Sequence, residues 1–216
     1  MREIRFPPVE SARPDGLLAL SRDIELGHLQ AAYRSGVFPW PVDDGGVLWF
    51  APPRRALLFF ERLHVPRRLA RSLGSAGFEF RFDTAFEEVI GHCATVGRKA
   101  QDGTWITPKL RRAYLDFHRA GHVHSFEAWS PDGRLVGGLY GVWLGKFFAG
   151  ESMFHLQAGA SKFALLHAVS HLRNHGLAWM DVQVLNPLTA AFGAEEVPRR
   201  HFMRLLRKAL AGEEAP

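Results

Sequence analysis

Three strand-like segments lie between His122 and Gly150 with no room for a helix among them. His122–Trp129, Arg134–Leu144 and Lys146–Gly150 are rich in β-branched and aromatic residues, and SPDG at 130–133 supplies a tight turn between the first two. Segments spaced so closely can bury a common face only as an antiparallel meander. A helical pattern over about Ala160–Asn174 follows, and then one more strand pattern at Ala178–Gln183. A long helix between two strands is a crossover, so the last strand joins the same sheet by a different route. The fold class read from this order is α+β, with a mixed sheet.

The sequence before the meander is more helical. Ser21–Ser35 reads as a helix closed by Gly36, and Val37–Pro53 as a structured loop of prolines, glycines and aromatics with a short strand at Val47–Phe50. Ala56–Phe60 reads as a strand, Pro66 opens a basic helix to about Ser75, and FEFRF at 78–82 alternates as a half-buried strand. Thr84 with Glu87 forms a capping-box pattern for a helix to about Cys93, and Thr107-Pro108 starts another that ends near Gly121. Arg199–Leu210 is the final helix. A composition shift near residue 60 suggests a small amino-terminal domain, 1–60, packed on a larger domain, 61–216.

Composition narrows the function classes. The chain is 47% hydrophobic and 23% charged, as in a soluble globular protein, and its one cysteine excludes an internal disulfide framework. The amino terminus has no signal-peptide pattern and the longest apolar run is too short to span a bilayer, so a cytoplasmic protein without membrane contact is expected. Lys and Arg outnumber Asp and Glu by 27 to 22, and the basic residues cluster, notably at Arg67, Arg68 and Arg71 and along Arg199–Lys208. That pattern suits contact with a polyanion such as RNA.

Three groups of residues could carry chemistry. His167, His171 and His175 share one helix face at i, i+4 and i+8, but no HExxH and no cysteine pair completes a zinc site, and no metal is expected. Ser152 in GESMF imitates the start of a nucleophile elbow but lacks its second glycine and the turn into a helix. Glu151 and Asp181 are carboxylates at or near the ends of strands that the crossover brings into one sheet, beside Phe148, Met153 and Met180. Such groups suit general-base work or recognition of a cation.

The order of several motifs resembles the bacterial leucyl/phenylalanyl-tRNA–protein transferases from about Gly16 to Phe202. The matching stretches are GLLAL at 16–20, AYRSGVFPW at 32–40, LWF at 48–50, GTWIT at 103–107, AYLDFHRAGHVHSFEAW at 113–129, LVGGLYGVWLG at 135–145, GESMF at 150–154, ASK at 160–162, DVQVLN at 181–186 and GAEEVPRRHF at 193–202. The resemblance implies an acetyltransferase-like (GNAT-type) carboxy-terminal domain and transfer of Leu or Phe, with Met as a further donor, from charged tRNA to proteins beginning with Arg or Lys, marking them for degradation. It implies no cofactor.

The resemblance also implies site roles. Asp181 binds or deprotonates the acceptor amine, Gln183 orients the ester carbonyl, and Glu151 holds the acceptor's cationic side chain or orders that network. Leu139, Phe148, Met153, Leu165 and Met180 line a pocket for the donor side chain, and Trp49 and Trp105 flank the terminal adenosine of tRNA. The chain departs from the family pattern at Ser21-Arg22, His155–Gly159, Val182, Leu188 and Ala191. A rival on the same fold is an acyl-CoA-dependent acetyltransferase, but HLQAGASK at 155–162 lacks the spacing of a pyrophosphate-binding turn. A rival of another class is a non-catalytic RNA-binding module.

Overall fold

The computed structural model of the chain describes residues 4–41, 46–95 and 106–211. A three-stranded sheet is built from β1 (Leu17–Ser21), β2 (Phe38–Pro41) and β3 (Val47–Phe50), with β3 in the middle, and helix α1 (Leu26–Arg34) lies between β1 and β2. The sequence reading makes Ser21 the start of a helix. Instead GLLAL pairs with β3, and the helix begins five residues later.

The main sheet has seven strands. β4 (Arg54–Phe59), β5 (Glu79–Phe82), the meander β6 (Val123–Trp129), β7 (Leu135–Leu144) and β8 (Phe147–His155), then β9 (Trp179–Gln183) and β10 (Glu195–Pro198) are arranged in the order β10-β4-β9-β8-β7-β6-β5. Every neighbouring pair is antiparallel except β8 and β9, which the crossover helix α5 (Ala160–Asn174) makes parallel. The meander and crossover therefore form as read, in a mixed sheet, with β8 continuing through GESMF. β4 (Arg54–Phe59) belongs to this sheet and not to the three-stranded one. One hydrophobic core runs through both units, from Val9 to Ala209.

Helices α2 (Arg67–Ser75), α3 (Phe86–Thr95), α4 (Pro108–Arg119) and α7 (Arg199–Leu210) agree with the sequence reading, while the short helix α6 (Pro187–Ala191) and β10 have no counterpart in it. The expected capping box at Thr84 is replaced. Thr84 Oγ1 donates to Glu127 of β6, whose carboxylate also accepts from the Thr84 and Ala85 amides at 2.9 and 2.8 Å and from Trp129 Nε1 at 3.0 Å. A buried carboxylate surrounded by this many donors replaces the local cap and ties α3 to the sheet. No helix among the described residues is long and apolar enough to cross a membrane.

Two bulges set the geometry of the central strands. Tyr140 pairs with Ser152 and Gly141 with Gly150, so Glu151 is the extra residue of a bulge in β8. Ala56 pairs with Gln183 and Leu57 with Asp181, which leaves Val182 as the extra residue in β9. A bulge re-aims a side chain that the regular pleat would point elsewhere. Gly141 permits the first one, since a Cβ there would run into the Ala149 carbonyl oxygen and the Phe148 ring. Replacing Gly141 with Ala is expected to cost about 1–3 kcal/mol, a fall of about 3–10 °C in Tm by calorimetry.

Candidate active site

Ala149 of β8 stands opposite Asp181 of β9 across the parallel pair. Two residues further along each strand are Glu151 and Gln183, so the shared register brings these two side chains together. Gln183 Nε2 donates to Glu151 Oε1 at 2.7 Å. On its other oxygen Glu151 accepts from Tyr114 Oη at 3.0 Å, and Tyr114 Oη lies 2.7 Å from Tyr33 Oη. One tyrosine proton is directed at the carboxylate and the other is shared between the two hydroxyls. The result is a chain of hydrogen bonds from α1 through α4 to the bulge of β8.

Glu151 keeps one partly exposed edge, and the rest of its surroundings is protein. Burial disfavours its charged form and raises its pKa from the ordinary 4.5 to about 7, against the hydrogen bonds from Tyr33, Gln183 and Tyr114, which favour the carboxylate. Burial, with the negative charge of Glu151 second, also raises both tyrosine pKa values well above the usual 10. The tyrosines therefore act as donors, and Glu151 is the group here that exchanges a proton near neutrality.

Asp181 lies directly behind this pair and has a different environment. It is 0% exposed and Arg55 is 1% exposed. Arg55 Nε donates to both Asp181 oxygens at 2.9 Å and Arg55 Nη2 to Oδ2 at 2.6 Å, while the Gln183 amide donates to Oδ1 at 2.8 Å. The guanidinium carbon sits 4.5 Å from the Phe38 ring centroid and 4.7 Å from that of Phe202, and Nη1 donates to the Gly36 carbonyl at 3.3 Å. A sequence reading that sets Asp181 against an acceptor amine meets a carboxylate whose lone pairs are already occupied and which has no open face. Gln183 itself has a left-handed backbone, φ 62°, held by its amide bond to Asp181.

Other expected site residues also find definite places. Leu139, Phe148, Leu165 and Met180 are buried in one apolar cluster, and Met153 packs against it with part of its side chain exposed. Trp49 differs from expectation. It is 1% exposed, donates from Nε1 to Ser21 Oγ at 2.9 Å and meets the Phe6 ring edge-on, so its faces are not open to a base. Among the described tryptophans the most exposed is Trp40, 43% exposed, on the neighbouring strand β2. Trp105 lies outside the described residues.

His167 and His171 stack on Phe80 and Phe82 at 5.0 and 4.4 Å between centroids, as sheet packing rather than as a ligand cluster, and no group of three metal-ligating side chains converges among the described residues. Ser152 is buried within β8, away from any turn. The sequence reading missed Arg55, Tyr33, Tyr114 and Trp40 as site residues. All but Arg55 stand in the quoted motifs AYRSGVFPW and AYLDF, and Arg55 was visible only as half of an Arg-Arg pair.

Comparison with known proteins gives the family of the chain. Residues 57–207 match the family described as leucyl/phenylalanyl-tRNA protein transferase, and residues 22–53 match the amino-terminal domain of that family. Among curated relatives, the leucyl/phenylalanyl-tRNA–protein transferase of Aromatoleum aromaticum is 48% identical over 91% of this chain and 83% of its own. That of Chromohalobacter salexigens is 49% identical over 94% and 79%. The solved structure of FemX shares the fold at a TM-score of 0.51, with 10% identity over 85% of this chain and 72% of that one. The chain belongs to the leucyl/phenylalanyl-tRNA–protein transferase family and is an aminoacyltransferase.

Proposed function

We propose that the protein moves Leu or Phe from charged tRNA to the α-amino group of proteins that begin with Arg or Lys, and that Glu151 and Gln183 are the side chains meeting the reacting groups. The observation that carries this reading is the Glu151–Gln183 pair: one partly open carboxylate with a pKa of about 7, hydrogen-bonded to one amide. The donor is an ester, so amide formation is downhill and the catalyst has only to position the partners and manage one proton. The amine nitrogen attacks the ester carbonyl carbon, the bond from that carbon to the ribose oxygen breaks, and the surplus amine proton ends on the departing oxygen. Glu151 as carboxylate accepts that proton or orients the amine, and Gln183 Nε2 is free to turn from Glu151 to the ester oxygen.

Asp181 is a positioning residue in this scheme. Fixed by Arg55, it holds the Gln183 amide and with it the left-handed turn that aims Gln183 at Glu151. The cluster of Leu139, Phe148, Met153, Leu165 and Met180 suits an apolar donor side chain, entered at its more open member Met153. Discrimination by size alone in such a pocket is worth about 1–3 kcal/mol, which accommodates Leu and Phe and does not strongly exclude Met. Trp40, not Trp49, offers a face on which a terminal base can stack. The direct test is incubation with labelled leucyl-, phenylalanyl- and methionyl-tRNA and peptides of every amino-terminal residue. Label appearing only on Arg and Lys peptides supports the reading, and no transfer to any peptide overturns it.

Two further outcomes follow from the site chemistry. Reaction needs Glu151 ionised and the acceptor amine, of pKa about 7.7–8.0, neutral. The logarithm of kcat/KM is therefore expected to rise with a slope near two below pH 7 and near one between pH 7 and 8. In Glu151→Gln the first limb disappears and the rate falls by about 10²–10⁴-fold. Burial favours the neutral acid, so the folded protein holds this proton more tightly than the unfolded chain does. Its stabilising contribution is present below pH about 4.5 and is lost as pH rises through about 7. Denaturant titrations should show Glu151→Gln gaining stability relative to the parent across that interval.

Removing one partner of the buried pair tests the positioning role. Arg55→Leu leaves the Asp181 charge uncompensated and is expected to cost on the order of 3–5 kcal/mol by urea unfolding.

A further inference from the structure

The far end of β9 from Gln183 opens on a second cavity. A cleft of about 720 Å³ lies between the β7–β8 turn, the carboxy-terminal end of α5 and the last turn of α7, floored by Phe60, Leu177 and Trp179 and rimmed by Lys146, Arg173 and Lys208. Trp179 opens β9 and Gln183 closes it, so the cleft lies about 13 Å from the active site, one strand length away. The acidic rim residue, Glu61, faces Arg62 at 3.7 Å. Lys146 is oriented by a hydrogen bond from Nζ to the His175 carbonyl at 2.5 Å.

Helix α7 joins this cleft to the active site. Near its start, Phe202 stacks against Arg55, and at its end Leu205, Lys208 and Ala209 line the cleft. Phe202, Leu206 and Ala209 make its buried face. Arg200, Arg204 and Arg207 recur at i, i+4 and i+7 on the outer face, with Lys208 beside them, and all four are exposed. Among the described residues no carboxylate forms an ion pair with any of these four, or with Lys146 or Arg173. Among the described residues several other surface cations are neutralised locally, as Arg54, Arg62, Arg81 and Arg119 are, while Arg67, Arg68 and Arg71 of α2 form no ion pair. A row of uncompensated cations about 12 Å long, ending in a cationic cleft with an apolar floor, is complementary to a phosphodiester backbone.

We propose that the outer face of α7 and the cleft at its end hold the backbone of the donor tRNA away from its reacting terminus. This rests on the transferase reading for the identity of the RNA and adds a surface on which its body is carried. The row begins beside the active site and leads away from it, so an RNA whose aminoacylated end reaches Gln183 can continue along α7. Cations at such a surface set affinity and salt dependence, and take no part in the proton transfer.

The test compares the parent protein with the triple variant Arg173→Gln, Arg204→Gln, Lys208→Gln, whose residues are exposed and outside the catalytic machinery. Filter binding of uncharged tRNA over a range of salt concentrations is measured beside transfer from full-length leucyl-tRNA and from leucyl-adenosine, which is too short to reach α7. The variant is expected to bind tRNA roughly tenfold more weakly near 0.1 M salt, with the log–log salt slope smaller by about two to three. KM for leucyl-tRNA should rise with kcat unchanged, and transfer from leucyl-adenosine should equal that of the parent. Unchanged tRNA affinity and salt slope overturn the proposal, as does an equal loss with leucyl-adenosine, which would place these residues' effect at the active site. If the parent transfers from neither donor, the transferase reading fails, while the binding arm still decides whether α7 carries RNA.

Discussion

The buried pair of Arg55 and Asp181 connects more of this structure than any other contact. Through Arg55 it joins β4 to the Gly36 carbonyl, to Phe38 of the amino-terminal sheet and to Phe202 of α7. Asp181 brings in β9 and the Gln183 amide. Burying two charges costs several kcal/mol of solvation each, and their attraction repays this only when geometry and additional hydrogen bonds are nearly complete. Both conditions hold here: the guanidinium meets the carboxylate side-on, and two aromatic faces cover it. The pair fixes the Gln183 amide and with it the left-handed turn at Gln183.

Two carboxylates, on neighbouring strands, are thereby set to different tasks. Asp181 is matched by a cation and an amide at close range. Glu151, in a bulge one strand away, has only neutral donors, and burial pushes its pKa to about 7. Environments that separate the properties of paired acids are a common route to acid–base chemistry near neutral pH. The bulges at Glu151 and Val182 adjust the aim of side chains that the shared register of β8 and β9 brings together.

Much of this was legible in the sequence. The meander, the crossover helix and α7 follow from periodicity and turn chemistry, and motif order gave the family and the GESMF and DVQ segments. The placement of individual side chains was less accessible. Trp40 and Trp49 each sit in an aromatic, proline-flanked stretch, and only strand pairing tells which one faces the core. Pairing of Leu17–Ser21 with β3 overrode a plausible helix start, since those apolar residues gain more from a sheet edge than from an isolated first turn. Arg55 could not be singled out at all, because a buried arginine differs from a surface one only by its tertiary partners. For the same reason the register of Asp181 was predictable and its salt bridge was not.

The central claim is that Glu151 is the carboxylate of this site that changes charge near neutral pH. Carbon-detected NMR of protein labelled at glutamate side-chain carboxyls measures this directly when compared with Glu151→Gln. The account predicts one resonance with a midpoint near pH 7 that is absent from the variant. If every glutamate in the parent protein titrates below about pH 5, Glu151 is an ordinary solvated carboxylate and the division of roles between it and Asp181 is wrong.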